Sequence, residues 1–276
     1  MFWPPVGGTA FPNPSGGPIG WLGGPRPNKA PKKHRSKEPF GAHKRGRMTF
    51  GGIQKLSALD FPDHLAVTVF TVGCDFRCPY CQNPELVRGE YPVRISEDEV
   101  LKVLKERKGF VDGLCITGGE PLLHRDLAPF LKKVKDMGID VKIDTNGHHP
   151  GFLRELLGEK LVDYVAVDIK APPSRYLEMV RAPVDLSKIE ETVKLLRETG
   201  VPHEFRTTVV PSLLKDGEYE EIARWLKGAP RYALQAFRPV RTLDPDFRKV
   251  DPTPPELLGE LCARVAGYFG ECEVRG

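Results

Sequence analysis

The sequence predicts an α/β protein that folds as a partial (β/α)6 barrel, and three observations carry that expectation. Six short β-branched apolar runs recur along the chain, helical patterns with readable starts and stops lie between them, and polar residues repeatedly close the runs. Alternation of this kind makes right-handed βαβ units around a parallel sheet. The alternating part, residues 48–276, allots roughly 38 residues to each of six units, whereas a full eight-unit barrel takes around 250.

In chain order the strand candidates are 65–71 (LAVTVFT), 113–117 (GLCIT), 139–144 (IDVKID), 162–168 (VDYVAVD), 204–210 (EFRTTVV) and 232–237 (YALQAF). Ser96 with Glu99 and Ser187 with Glu190 have the spacing of capping boxes, in which each side chain satisfies a free backbone N–H at a helix start. Gly138 and Gly200 supply stops. Leu186, Ile189, Val193 and Leu196 follow one helical face, as expected of a helix lying on a sheet.

The 276 residues are 40% apolar and 28% charged, enough to bury a sizeable core. Their apolar runs fall far short of the roughly 20 residues that span a bilayer, so no membrane association is expected. The net charge of +4 conceals a division. Residues 1–47 hold nine Lys and Arg against one acid, Glu38, and the remaining 229 carry a net −4. That first segment also contains nine Gly and nine Pro, and it reads as a disordered basic tail ahead of a barrel domain at 48–276. Its KKHR cluster could meet a polyphosphate, but a solvated extension explains it as well, and nucleic-acid binding is not expected. Three of the six cysteines lie within eight residues, unlike a disulfide framework, which favours a reducing, cytoplasmic setting.

Those three, Cys74, Cys78 and Cys81 in GCDFRCPYCQN, directly follow the first strand. Thiolates spaced C-x3-C-x2-C can wrap a cubane iron–sulfur cluster yet supply one ligand too few for its four irons, leaving one open to a ligand. The alternatives are a zinc ion completed by His64 or Cys115, or a group of inert thiols. The second signal is TGGEP, residues 117–121, at the end of the second strand. Gly118 and Gly119 allow close approach to their backbone, and Glu120 offers a carboxylate to a cationic group such as an α-ammonium. DTNG (144–147), DIK (168–170), Arg206 and QAFRP (235–239) continue the series. Acids and bases that repeatedly end apolar strands imply a polar cavity on one rim of the barrel.

The cysteine loop, with Tyr80 just before its third cysteine, and the GGEP turn 37 residues after Cys81 resemble the radical S-adenosylmethionine (SAM) superfamily. The resemblance implies a TIM-like partial barrel of the radical SAM type, a [4Fe-4S] cluster on Cys74, Cys78 and Cys81, and SAM chelated to the open iron. Reductive cleavage of the sulfonium would then yield a 5′-deoxyadenosyl radical. It further implies that Tyr80 lies near the adenine, that Gly118, Gly119 and Glu120 meet the SAM amino acid, that Asp144, Thr145, Asp168 and Lys170 border its carboxylate, its ribose or a monovalent cation, and that Arg206 contacts SAM.

More narrowly, GGIQKLSALDFP (51–62) and NPELV (83–87), taken with the cysteine loop, resemble the glycyl-radical-enzyme activating enzymes, most of all the short anaerobic ribonucleoside-triphosphate reductase activating proteins. The activity this resemblance implies is that of an oxidoreductase abstracting a glycine α-hydrogen in a partner enzyme, the anaerobic ribonucleotide reductase, with electrons from a flavodoxin or ferredoxin. Arg238 departs from the pattern, falling where a relative has a ribose-binding histidine. Two other readings stand beside this one: a radical SAM enzyme that modifies a small molecule or an RNA base, and a non-catalytic iron–sulfur electron carrier, which would have no use for an ammonium-binding turn. With no further cysteine cluster, one iron–sulfur centre is expected. Cys115 reads as a packed strand residue, Cys262 as part of a helix face, and His148 and His149 as loop residues.

Overall fold

The computed structural model describes residues 47–90, 94–211, 213–215 and 217–276. The basic tail expected at 1–47 therefore lies, except for Arg47, outside the described residues.

The barrel opens with β1 (Thr49–Phe50), β2 (Gly52–Ser57), β3 (Ala66–Thr71), α1 (Pro84–Arg88), β4 (Ile95–Ser96) and α2 (Glu97–Glu106). It continues through β5 (Gly113–Gly118), α3 (Leu127–Asp136), β6 (Asp140–Thr145), α4 (Pro150–Gly158), β7 (Tyr164–Asp168), α5 (Tyr176–Val180) and α6 (Leu186–Thr199). Last come β8 (His203–Val209), α7 (Glu218–Trp225), β9 (Arg231–Ala236), α8 (Pro255–Val265) and β10 (Glu271–Arg275).

The main sheet runs β10-β9-β8-β7-β6-β5-β3-β2, and a small antiparallel pair joins β1 to β4. Strands β3 and β5 to β9 are the six expected ones, parallel throughout, with bounds within two residues of expectation. Two flanking strands were not expected: β2, antiparallel to β3, and β10, parallel to β9. Both lie at sheet edges, where GIQKLS and ECEVR keep exposed polar residues and so lack a buried strand's signature. The two edges do not pair with each other, and the barrel stays open.

Strand periodicity divides the sheet into two faces. Val67, Val69, Leu114, Ile116, Val141 and Ile143 belong to the main apolar core, together with buried residues of α2, α3 and α4. The alternate face holds Thr68, Cys115, Lys142, Asp144, Glu204 and Arg206, all buried. The barrel interior is therefore polar where the outer layer is apolar.

The Ser96–Glu99 capping box is present in full: Ser96 Oγ accepts from the Glu99 N–H at 3.3 Å, and Glu99 accepts from the Ser96 N–H at 2.8 Å. The second box is corrected. Helix α6 starts at Leu186, and its cap is Asp185, which accepts from the Ser187 N–H at 3.1 Å. Asp185 comes one residue before the helix and its short carboxylate reaches that donor, whereas Ser187 is already inside the first turn. Cys262 is also corrected: it lies in α8 but forms a disulfide with Cys272 of β10, because the chain turns straight back from helix to edge strand and brings their Cα atoms to 6.0 Å. Cys115 is a buried free thiol in β5, as expected. Among the described residues no helix is long and apolar enough to cross a membrane.

Candidate functional site

The C-terminal end of β3 leads directly into the cysteine loop, which is held on several sides by backbone bonds. Gly73 N donates to Leu86 O at 2.7 Å, Arg77 N to Val180 O at 2.8 Å, and Asp244 N to Pro79 O at 2.9 Å. Cys78 is buried, while Cys74 and Cys81 are partly exposed. Burial pushes all three thiols upward, Cys78 to about 12, although the Lys170 ammonium opposes this at Cys78 and Cys81. The Phe76 N–H donates to Cys74 Sγ at 3.4 Å. Tyr80 is buried within the loop and its phenol is likewise pushed up by burial.

The GGEP turn packs against this loop, for a reason the sequence did not reveal. A side chain at Gly119 would overlap the Gly73 carbonyl, and Gly118, at φ +110°, would place a Cβ within 2.6 Å of Thr71 N. The Gly119 N–H donates to Thr71 O at 3.0 Å, and the Glu120 N–H to Gly73 O at 2.7 Å. The paired glycines are thus demanded by the protein's own backbone before any ligand is considered. Glu120 accepts from Leu122 N at 3.0 Å, Thr145 Oγ1 at 2.8 Å and Asn146 N at 2.8 Å, tying the ends of β5 and β6 together. Burial, reinforced by the charge of Asp75, raises its carboxyl to about 7 in spite of these bonds.

Below the rim, a charge network fills the interior. Arg206 donates from Nε to Asp168 at 2.9 Å and pairs with Asp144 at 3.2 Å, while Lys170 pairs with Asp168 at 3.2 Å. Burial works against the charged forms, but these cations hold both carboxyls below their usual range, and the carboxylates hold Arg206 and Lys170 above theirs. Two members were missed from sequence. Lys142 pairs with Asp144 at 2.5 Å, and fully buried Glu204 is bound by Arg275 at 2.9 and 2.6 Å. The signal was a charged residue two positions before a noted one, Lys142 before Asp144 and Glu204 before Arg206, which strand periodicity puts on the same face. Asp144 Oδ2 is buried and meets the Arg206 guanidinium at 3.2 Å as an ion pair rather than through an aligned hydrogen bond.

Asp75, also missed, accepts from Asn146 Nδ2 at 2.8 Å and is bonded to His148 Nδ1 at 2.8 Å and His149 Nε2 at 3.0 Å. The two histidines are loop residues, as expected, but they close onto the cysteine loop. Among the described residues, these three form the only trio of ligand types with donor atoms all within 4.8 Å. The three thiols are spread more widely than that, whereas four-coordinate zinc would need sulfurs only about 3.8 Å apart. His64, the other zinc candidate, lies before β3 at the opposite end of the strands, bonded to Pro62 O and Asp140.

Three spread thiols from one loop, a facing ammonium and an N–H donated to sulfur fit a cluster with three cysteine ligands. The buried, paired carboxylates and cations of the polar interior fit a ligand bearing charged and donor groups. A family model described as the radical SAM superfamily matches residues 68–226. A Methanocaldococcus jannaschii protein named as a candidate glycyl-radical enzyme activating enzyme is 36% identical over 229 residues, 81% of this chain and 94% of that one. The pyruvate formate-lyase-activating enzyme of Clostridium pasteurianum is 28% identical over 204 residues, 71% of this chain and 84% of that one. In fold, the chain is similar to Streptococcus suis SuiB bound to its precursor peptide SuiA, with TM-score 0.59 and 16% identity; 76% of this chain is covered, and it spans about half, 48%, of that one.

Proposed function

Because this chain belongs to the radical SAM superfamily, we propose that it activates a glycyl radical enzyme, with anaerobic ribonucleoside-triphosphate reductase as its partner. The observation that carries the reading is the three-thiol loop locked against the GGEP turn at one rim of a polar barrel. Cys74, Cys78 and Cys81 hold the [4Fe-4S] cluster. When bound, the cluster and SAM supply a hydrogen-abstracting radical once an electron arrives.

The chain's own residues bind and orient. Gly118 and Gly119 shape a side-chain-free turn, and Glu120 fixes that turn to Thr145 and Asn146, so the SAM amino acid meets a preformed backbone surface. Asp144, held by Lys142 and Arg206, turns a buried and already neutralised carboxylate towards the polar interior. Arg206, Asp168 and Lys170 hold one another in place beside it, and Tyr80 backs the cysteine loop. Asp144 and Asp168 already carry protein cations, so the reading needs no monovalent ion. Exposed Arg77, Arg181 and Arg238 on and near the loop suit an acidic electron donor such as a flavodoxin or ferredoxin. The unpaired edges β2 and β10 leave a lateral opening that a loop of the partner can enter.

Anaerobic reconstitution followed by reductant and SAM is expected to give 5′-deoxyadenosine, and addition of the reductase a glycyl doublet in the electron paramagnetic resonance spectrum. SAM cleavage without a doublet would point to a small-molecule or RNA substrate. A reduced cluster that leaves SAM intact would leave only an electron carrier.

A further inference from the structure

Asp75 follows Cys74 in the chain, and its Oδ1 lies 4.0 Å from Cys74 Sγ. Such a carboxylate would ordinarily turn to water. Here Asn146 holds Oδ1 while His148 and His149 converge on Oδ2, and the side chain is 24% exposed. The convergence has the layout of a metal site, but the protons argue otherwise. The Asp185 N–H donates to His148 Nε2 at 3.2 Å, which leaves the imidazole proton on Nδ1, facing Asp75. A metal on Nδ1 would drive that proton onto Nε2, against the Asp185 N–H. The trio is therefore a hydrogen-bonded clamp.

The clamp belongs to a longer chain of contacts. Glu120 positions the Asn146 backbone, and the Asn146 amide reaches both Asp75 and, at 4.0 Å, Cys74 Sγ. The ends of β3, β5 and β6 and the start of α6 thus all bear on one carboxylate. The thiols also differ in surroundings: Lys170 lies near Cys78 and Cys81, whereas Cys74 has an anion beside it. We propose that Asp75, pinned by Asn146, His148 and His149, is a positioning residue that keeps a cluster bound through Cys74 strongly reducing. A fixed negative charge within a few ångströms, in a poorly solvated loop, disfavours the arrival of an electron. Freed to swing into solvent, the same charge would be screened and largely lost to the cluster.

This inference rests on the cluster assignment above, and one redox titration followed by electron paramagnetic resonance separates the two. The reconstituted parent must show iron, sulfide and a reducible cluster signal; their absence removes the assignment and this inference with it. With the parent loaded, Asp75→Asn is expected to favour reduction about tenfold, a rise of 59 mV for one electron. Asp75→Glu is expected to restore most of the parent value, and the double variant His148→Gln, His149→Gln to give a smaller rise. A fully loaded Asp75→Asn protein with an unchanged midpoint overturns the inference. Should that variant fail to load, an unchanged midpoint in the double variant overturns it instead. Stoichiometric Zn2+ uptake by the loaded parent that is lost in the double variant would show a metal site and overturn it too.

Discussion

The two ends of the parallel sheet carry similar residues in opposite circumstances. Towards the C-terminal rim Lys142, Asp144 and Arg206 pair with side chains no more than 6% exposed. At the N-terminal ends Lys135 bridges Asp140 at 3.0 Å and Asp163 at 2.6 Å, and His64 reaches Asp140 at 3.3 Å, with a quarter to a half of most of these side chains in water. A cavity of about 500 Å3 lies beside that second group, walled partly by Phe61, Tyr164, His203 and Arg231. Water can replace any lost partner at the open end. In the interior it cannot, so every charge there depends on its counterpart. The costly arrangement lies next to the cysteine loop, where the proposed SAM site would need to be kept free of solvent.

From that contrast, Arg206→Met is expected to be the most damaging change. It strips Asp144 and Asp168 of their shared cation, leaving Lys142 and Lys170 to compensate in part, and a loss of about 3 kcal/mol is expected in urea unfolding. Gly119→Ala follows at about 2–3 kcal/mol, because the new Cβ must push the Gly73 carbonyl aside. Its melting temperature should fall together with its capacity to take up iron.

Glu120 tests the same end through pH. Folded, it keeps its proton up to about 7, whereas unfolded it releases it near 4.5. The folded state binds more protons between those values, so stability falls as pH rises through that window, by on the order of 2 kcal/mol. Glu120→Gln should flatten that slope in melts at pH 5 and 7. The smallest effect belongs to the open end: Lys135→Met should cost about 0.5–1 kcal/mol and become harder to detect as salt is added. A Lys135 loss as large as that of Arg206 would erase the distinction between the two ends.

Much of the barrel was legible because buried parallel strands announce themselves. LAVTVFT and the YVAV within VDYVAVD are short runs of apolar and β-branched residues, and each appears where expected. The edge strands GIQKLS and ECEVR were missed because half-solvated strands need no such run. The cap of α6, Asp185, was misplaced because Ser187 and Glu190 match a capping box in spacing, and only the backbone path shows which residue precedes the first turn. At the site, the three cysteines, GGEP, DTNG and DIK were all marked, and the fold gathers the loops and strand ends that bear them onto one rim. Lys142 and Glu204 escaped notice because charges within strands look like surface residues until the sheet curls them inward.

Sequence alone therefore determined the α/β alternation, the three-thiol loop and the residue types along the rim, since these depend on local spacing and side-chain chemistry. Tertiary structure decided which groups meet. It set Gly119 against Gly73, closed Asp75 between two histidines 73 and 74 positions away, paired Arg206 with two different strands, and joined Cys262 to Cys272. Such contacts follow from strand order and from the face each side chain occupies, and both emerge only when distant segments pack together.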